Sequence, residues 1–333
     1  MHMSDALLSP AVGIAMCAVS VAANAYAVKK IEKDDMCEKK IPLMAIMGAF
    51  VFAAQMINIA IPATGSSGHL GGGILLAAML GGPAALLSIS AVLIIQCLFF
   101  ADGGLLALGC NILNSGVIPC LIVYPLIFKP MIEKSMTFSR ITAASIAASV
   151  IALQLGAFGV VLQTWTSGIA ELPFRTFVIL MQPIHLAIGV MEGVITAAVL
   201  CFVYKMRPEI MESAFNKTAI GSGVPMRNML IAFAVITLLV GGGLSLFASS
   251  DPDGLEWSIE RTAGTMEPAA EGPFMERAAW VQEATAFMPD YDFKGAGEEG
   301  SGAGTAVAGF IGGAFTFLLA GAAAFAISAL KKK

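Results

Sequence analysis

The sequence predicts an all-α, polytopic membrane protein with a seven-helix body and a two-helix C-terminal hairpin that encloses an external loop. Of its 333 residues, 57% are hydrophobic. Charged residues make up 13%, about half of the roughly 25% found in soluble domains. The mean hydropathy is +0.83. Since a water-soluble chain needs a polar surface, this composition excludes soluble enzymes, nucleic-acid-binding proteins and disordered linkers.

Eight apolar segments are long enough to cross a hydrocarbon core about 30 Å thick, which takes about 20 helical residues. They are 10–28, 41–61, 84–100, 104–128, 140–162, 177–204, 228–248 and 304–328. A ninth apolar segment, 70–82, follows a glycine-rich loop. At about 1.5 Å per residue it crosses only if it is tilted or joined to a loop that is lined by protein. With it, the predicted number of helices is nine.

Basic residues in the short loops predict the orientation, because cytoplasmic loops carry an excess of Lys and Arg. With nine crossings all four basic clusters share one face, whereas eight crossings would separate them. The nine-helix topology therefore places the N-terminus outside and the C-terminus in the cytoplasm. The clusters are Lys29, Lys30, Lys33, Lys39 and Lys40; Lys129, Lys134 and Arg140; Lys205, Arg207, Lys217 and Arg227; and 331–333.

The chain divides into three predicted parts. Residues 1–207 form the seven-helix transmembrane domain, 208–227 a polar cytoplasmic connector, and 228–333 the two-helix hairpin around an acidic external loop, 249–303. That loop carries 12 Asp and Glu against three basic residues. Its acids either attract divalent cations electrostatically or simply keep the loop solvated. The first ten residues have neither a basic residue nor a cleavage site, so we expect Met1 to remain the first residue.

Two of the three histidines, His2 and His69, share the outer face in this topology; the third, His185, is inside the seventh helix. A free Met1 amine, the deprotonated His2 amide and the His2 Nδ1 can chelate one ion through a five- and a six-membered ring. His69 could supply a fourth nitrogen. Four planar nitrogens suit Ni(II) or Cu(II), and Co(II) less strictly, whereas zinc prefers a tetrahedron and magnesium and calcium prefer oxygen. The alternative is two solvated histidines without a ligand.

Several motifs occur in the order typical of one family. They are Met1-His2-Met3-Ser4-Asp5-Ala6-Leu7-Leu8-Ser9-Pro10, Phe50-Val51-Phe52-Ala53-Ala54-Gln55-Met56-Ile57-Asn58, Ser67-Gly68-His69-Leu70, Asp102-Gly103-Gly104-Leu105-Leu106-Ala107-Leu108-Gly109, Asn111-Ile112-Leu113-Asn114 and the stretch 185–196. Residues 1–205 thereby resemble the metal-binding, substrate-specificity membrane component of energy-coupling-factor nickel/cobalt transporters. Pro252-Asp253-Gly254-Leu255-Glu256 and Met288-Pro289-Asp290-Tyr291 resemble the small two-helix accessory subunit of these systems, here fused to the body.

The resemblance implies that Met1, His2 and His69 hold the ion, which is cargo and not a cofactor. It also implies a prokaryotic plasma membrane location, with a transmembrane coupling subunit and cytoplasmic ATPase subunits on separate chains. Ala6 after Asp5 departs from the glycine common at this position, and the opening differs from cobalt-type members, which favours nickel. No Gly-Lys-Ser/Thr follows Gly71-Gly72-Gly73, and no nucleophile elbow or zinc helix is present. The sequence therefore predicts a transport component without enzymatic activity of its own.

Further residues have two interpretations each. Ser67, Asp102 and Asp5 either orient the metal ligands or belong to turns and helix caps. His185 and Glu192, two turns apart on one helix face, are either a satisfied structural pair or a transport site. The small-residue stripe Ala11, Ala15, Ala18 and Ala22 either docks the coupling subunit, as the resemblance implies, or packs inside the chain.

Two other functions remain open at this level. One is a self-sufficient secondary divalent-metal transporter, for which His185 and Glu192 would be the ion-coupled site at mid-membrane. The other is a membrane metal sensor that does not transport.

Overall fold

The computed structural model describes residues 2–33, 40–170, 172–218, 220–221, 224–266, 272–295 and 302–331. Helices form nearly all of its regular structure, with one two-stranded antiparallel sheet. The elements of the body are α1 (Pro10–Lys33), α2 (Lys40–Gln55), β1 (Ile59–Ile61), β2 (Ser66–Gly68), α3 (Gly73–Leu80), α4 (Gly82–Phe99), α5 (Leu108–Ile132), α6 (Phe138–Ser167) and α7 (Phe174–Met206). Those that follow are α8 (Pro208–Asn216), α9 (Arg227–Gly242), α10 (Gly254–Ala263), α11 (Pro273–Thr285) and α12 (Gly302–Lys331).

Seven of the described helices are long and apolar enough to cross a membrane, namely α1, α4, α5, α6, α7, α12 and the continuous stretch Arg227–Phe247. The other two predicted spans are shorter than expected. The helix predicted over 41–61 ends at Gln55, and its last residues form β1 instead. The Gln55 amide donates to the Gly71 carbonyl at 3.1 Å, so the chain leaves the helix where it meets the following loop.

The ninth predicted helix, 70–82, is reduced to α3 (Gly73–Leu80), and every residue of α3 is buried. Eight residues rise only about 12 Å, far less than the hydrocarbon core. The chain reverses at Gly81, whose φ of 82° is unfavourable for any residue with a side chain, and α4 begins at the next residue. The loop before α3, residues 66–72, is buried or half-buried, which is the arrangement that the sequence required if so short a helix is to be part of a crossing.

Basic residues that are distant in sequence meet at one end of the bundle. Lys30, Lys40, Lys129 and Lys217 line a single cavity of about 210 Å³ together with the Gly81 turn. We call this the lysine cavity, and the end of the protein that contains it the lysine face. Because α3 reaches this face from the opposite side, it acts topologically as a crossing.

The C-terminal hairpin packs directly on the body. Helices α9 and α12 both lie against the short helix α2, and α12 also contacts α4. A Cβ atom at Gly312 would be 2.0 Å from the Phe52 ring, so this position accepts only glycine beside the buried phenylalanine. The acidic segment that joins α9 to α12 contains the helices α10 and α11, so it is more ordered than a plain solvated loop.

The alanine stripe of α1 is open to the surroundings. Ala11, Ala15, Ala18 and Ala22 are all exposed, and the membrane-crossing part of α1 is mostly unburied. Packing of the stripe inside the chain, one of the two interpretations of the sequence, is therefore wrong. The surface faces either lipid or another chain.

Candidate metal centre

The N-terminal segment is held in a fixed position by the turn before α5 and by the first turn of α5 itself. The Met3 amide donates to Asn111 Oδ1 at 2.8 Å, and Asn111 Nδ2 donates back to the Met3 carbonyl at 3.2 Å. The Gly104 amide also donates to the Met3 carbonyl, at 2.8 Å. Met3 is completely buried, so the residue before it is fixed below the surface.

Asp102, in the same turn, contacts His2. Its Oδ2 lies 3.1 Å from His2 Nδ1, and the two side chains are 21% and 11% exposed, respectively. The Tyr291 hydroxyl donates to the same carboxylate oxygen. Asp102 thus connects His2 to the C-terminal part of the chain.

The His69 loop is fixed at both ends. On one side β2 pairs with β1, and the Ser67 amide donates to the Pro252 carbonyl at 2.8 Å. On the other side, the amides of Gly71 and Gly72 donate to the two carboxylate oxygens of Glu192, each at 3.1 Å. His69 Nδ1 lies 3.2 Å from the Leu70 carbonyl oxygen, which favours the tautomer with an unprotonated Nε2.

These two fixed segments bring His2 and His69 together. Their rings stack at 5.5 Å between centroids and 12° between planes. Met1 lies outside the described residues. Within the described part of the chain, no group of three or more His, Cys, Asp and Glu side chains is arranged to hold an ion. A metal bound at the two imidazoles would therefore take its remaining ligands from groups other than these side chains.

Local electrostatics keep His69 neutral and Asp102 ionised. Withdrawal from water is the main reason that the pKa of His69 falls to about 4, and the charge of His2 lowers it further. His69 is thus neutral at physiological pH, as a metal ligand must be. Burial by itself raises the pKa of Asp102, but the charge and hydrogen bond of His2 and the hydrogen bond of Tyr291 lower it to about 2. Asp102 therefore remains a carboxylate.

Two cavities meet at the histidine pair. The smaller, about 30 Å³, continues from the pair towards His185 and Glu192. The larger, about 440 Å³, opens between the body and the segment around α10. Its lining includes the four carboxylates Asp102, Asp253, Glu256 and Asp290. We call it the acidic vestibule, and the end of the protein that contains it the histidine face.

Ser67 and Asp5 act through the backbone and do not contact the histidine rings. Ser67 Oγ donates to the Asp251 carbonyl at 2.8 Å, and Asp5 Oδ1 accepts the Ala107 amide at 2.9 Å. Burial raises the pKa of Asp5, against the effect of the surrounding backbone amides. Both side chains hold the loops on which His2 and His69 lie.

His185 and Glu192 do not form the pair that their spacing suggested. His185 Nδ1 bonds to the Met181 carbonyl oxygen at 2.8 Å, and Glu192 accepts the two glycine amides of the His69 loop. Each side chain is satisfied by backbone groups, because the loop before α3 enters the bundle and lies against Glu192. The interpretation of His185 and Glu192 as a pair that satisfy each other is therefore wrong.

The C-terminal segment contributes residues that local sequence patterns did not reveal. Gln282 Nε2 donates to the Gly103 carbonyl at 2.9 Å and to the Cys97 carbonyl at 3.1 Å. Trp257 Nε1 donates to the Thr64 carbonyl at 3.0 Å. Asp253 begins α10 with a capping box that includes Glu256. Only the resemblance of this motif to an accessory subunit pointed to the region.

Comparison with known families matches two parts of the chain. The family described as "cobalt uptake substrate-specific transmembrane region" matches residues 2–210, and the PDGLE domain matches residues 227–329. A putative fused nickel transport protein of Archaeoglobus fulgidus is 30% identical over 94% of each chain. A fused nickel transport protein of Rhodobacter capsulatus is 29% identical over 78% of this chain and 76% of its own.

Cobalt-linked and structural relatives are also found. A cobalt transport protein of Geobacter sulfurreducens is 29% identical over 79% of this chain and 78% of its own. A crystal structure described as a truncated transition metal transporter superposes with a TM-score of 0.55 at 29% identity, covering 62% of this chain and 99% of its own.

Proposed function

The chain belongs to the cobalt uptake substrate-specific transmembrane family, and on that basis we propose that it is the ion-binding membrane component of a nickel or cobalt uptake system. The ion is Ni(II), or Co(II), as cargo. Its ligands are the Met1 amine, the His2 amide and imidazole, and His69. The observation that carries the proposal is the parallel stacking of His2 and His69, 5.5 Å between ring centroids, with His69 neutral. Asp102 contacts His2 Nδ1, so chelation through that nitrogen requires it to lose its proton and leave the carboxylate.

The direction of uptake follows from the two faces. The lysine face lies in the cytoplasm by the positive-inside rule, so the acidic vestibule opens outside. The acidic side chains on its walls attract divalent cations. The ion then passes to the nitrogen ligands, which Ni(II) prefers over oxygen.

Energy comes from other chains. A transmembrane coupling subunit docks on the exposed stripe Ala11, Ala15, Ala18 and Ala22, and cytoplasmic ATPases drive the cycle. The fused C-terminal domain keeps the site assembled, because Tyr291 and Gln282 fix the Asp102 turn and Pro252 pairs with the His69 loop.

Adding one alanine before Met1 tests the site directly. The extension removes the free amine from the chelate and leaves every side chain in place. We expect binding of Ni(II) and Co(II) to the purified full chain, measured by calorimetry, to fall more than about tenfold. The matched control carries the added alanine after Lys333. Intact mass verifies the N-terminal residue of each protein.

Unchanged binding by the extended protein would reject the N-terminal chelate. His185→Gln and Glu192→Gln would then locate the alternative site in the smaller cavity. Competition between the two ions on the native protein measures the preference, which we expect to favour nickel.

Uptake assays separate this proposal from its rivals. Ion accumulation by the chain alone in ATP-depleted vesicles would indicate a secondary transporter. A lack of accumulation when all partners are co-expressed would indicate a sensor. We expect accumulation only with both the partners and ATP.

A further inference from the structure

We propose that the lysine cavity binds the phosphate group of an anionic phospholipid. The cavity is about 210 Å³ in volume and lies at the opposite end of the bundle from the histidine pair. Its lining residues are not used in ion capture. The proposal therefore concerns a second ligand of a different chemical class.

The cavity concentrates positive charge from four separate segments. Lys30 lies in the last turn of α1, Lys40 is the first residue of α2, Lys129 is near the end of α5, and Lys217 follows α8. No Asp or Glu is among its described lining residues. Lys217 repels Lys129, which Glu133 outside the lining only partly offsets, and an anion between the two lysines relieves that repulsion. A phosphate group has the charge and the acceptor oxygens for this position.

The ammonium group of Lys129 is held in a defined position and keeps N–H donors that are not used by the described residues. Its Nζ donates to the Phe215 carbonyl at 2.6 Å and lies 4.7 Å from the Phe215 ring centroid. An ammonium group has three donors, so two are left for an anion. The first turn of α4 adds to the positive potential, because residues 81–84 line the cavity and no side chain caps this helix.

The apolar part of the lining favours a lipid over a free ion. Besides the lysines, the walls carry aliphatic and aromatic residues, including Ile31, Leu121 and Tyr124. Tyr26, also in the lining, is 55% exposed, so the cavity borders on the outer surface of α1. Tyrosines at this level are typical of the membrane interface, and basic pockets between helices on the cytoplasmic side bind anionic headgroups. An inorganic phosphate ion has no apolar part to pack against these walls.

Lipid retention measured by native mass spectrometry tests the proposal. The full chain is reconstituted with phosphatidylglycerol or phosphatidylcholine, extracted in mild detergent, and compared with the double variant Lys30→Gln/Lys217→Gln. The matched control is Lys29→Gln/Lys205→Gln, which removes the same charge from two exposed lysines outside the cavity. We expect the native and control proteins to retain phosphatidylglycerol about tenfold more than phosphatidylcholine, and the cavity variant to lose this preference.

Three results would overturn the proposal. In the first, the cavity variant and the control retain phosphatidylglycerol equally. In the second, excess inorganic phosphate displaces the lipid and itself binds in phosphatidylcholine, which assigns the site to free phosphate. In the third, phosphatidylglycerol shows no preference, while a co-expressed protein partner is lost only from the cavity variant, which assigns the site to an acidic protein segment.

Two measurements keep the test interpretable. Thermal unfolding shows whether the double variant is folded, and Lys217→Gln alone replaces it if it is not. Ni(II) binding should remain unchanged in every lysine variant. A failure of metal binding in the native protein would reject the proposed function and leave the lipid result unaffected.

Discussion

The histidine face and the lysine face are built in different ways. At the histidine face each functional loop is tied by hydrogen bonds to a distant segment, as when Glu192 accepts the amides of Gly71 and Gly72. At the lysine face, four lysines from separate segments line a cavity, and Lys129 is held by a backbone carbonyl. The first arrangement positions ligands for one small ion, while the second adapts to a larger, softer group. Changes at the histidine face should therefore have the larger effect on metal binding.

Removing the Glu192 carboxylate should have the largest effect. Glu192→Ala leaves two buried amides without an acceptor, which costs about 2–4 kcal/mol and releases the His69 loop. We expect a lower unfolding temperature and at least about tenfold weaker Ni(II) binding, measured by calorimetry. Glu192→Gln keeps one acceptor oxygen, so its unfolding temperature and Ni(II) affinity should lie between those of the native protein and of Glu192→Ala. Native-like binding by the alanine variant would show that the loop does not depend on this anchor.

Adding a methyl group at Gly254 tests the docking of the C-terminal segment. A Cβ at this residue would be 2.7 Å from Ile188 Cδ1 and 3.1 Å from His185 Cε1. Gly254→Ala should therefore displace α10, at a cost of about 1–3 kcal/mol, and increase hydrogen exchange in α10. The control is Gly313→Ala, where the nearest neighbour would be the Ala49 carbonyl oxygen at 3.8 Å. Equal exchange in both variants would contradict close packing against α7.

Neutralising Asp102 should have a moderate effect. Asp102→Asn removes a negative charge from the acidic vestibule beside the proposed ion, so we expect about tenfold weaker Ni(II) binding with little loss of stability. Asp251→Asn is the matched control, because only the backbone carbonyl of Asp251 bonds to Ser67. If the two variants bind equally, the contact between Asp102 and His2 does not influence the site.

A lysine variant should have the smallest effect on metal binding. Lys217→Gln changes the opposite face, and we expect Ni(II) affinity to stay within about 0.5 kcal/mol of the native value. A loss as large as that of Asp102→Asn would show that the two faces are energetically coupled.

The sequence predicted the membrane-crossing helices well, because apolar length is a local property. The distribution of Lys and Arg in the loops predicted that His2 and His69 lie on one face. The position of Asp102 in a turn made it a candidate for orienting the metal ligands. The sequence did not predict the contacts of Asn111 and Tyr291, although both residues belong to the motifs, because their partners Met3 and Asp102 are 108 and 189 residues away, respectively. Such contacts depend on how the helices assemble and leave no local periodic pattern.

The same limit applies to Glu192 and to α10. An acidic residue inside a membrane helix predicts that a partner exists. When the partner is a backbone amide, which almost every residue has, the sequence does not show which residue supplies it. The segment with α10 and α11 has a polar composition that is typical of a loop, and it is ordered by contacts with the body.

The shortness of α3 has a consequence for the membrane potential. Only about 12 Å of helix separates the His69 loop from the lysine face, and the water-accessible vestibule carries the outside potential down to the histidines. With the histidine face outward, the potential then falls mainly between the histidines and the lysine face. Binding at the histidines therefore responds little to the membrane potential, whereas passage of a divalent cation from there to the cytoplasm gains about 4.6 kcal/mol per 100 mV, inside negative. An energised membrane would thus favour inward release more than it tightens loading.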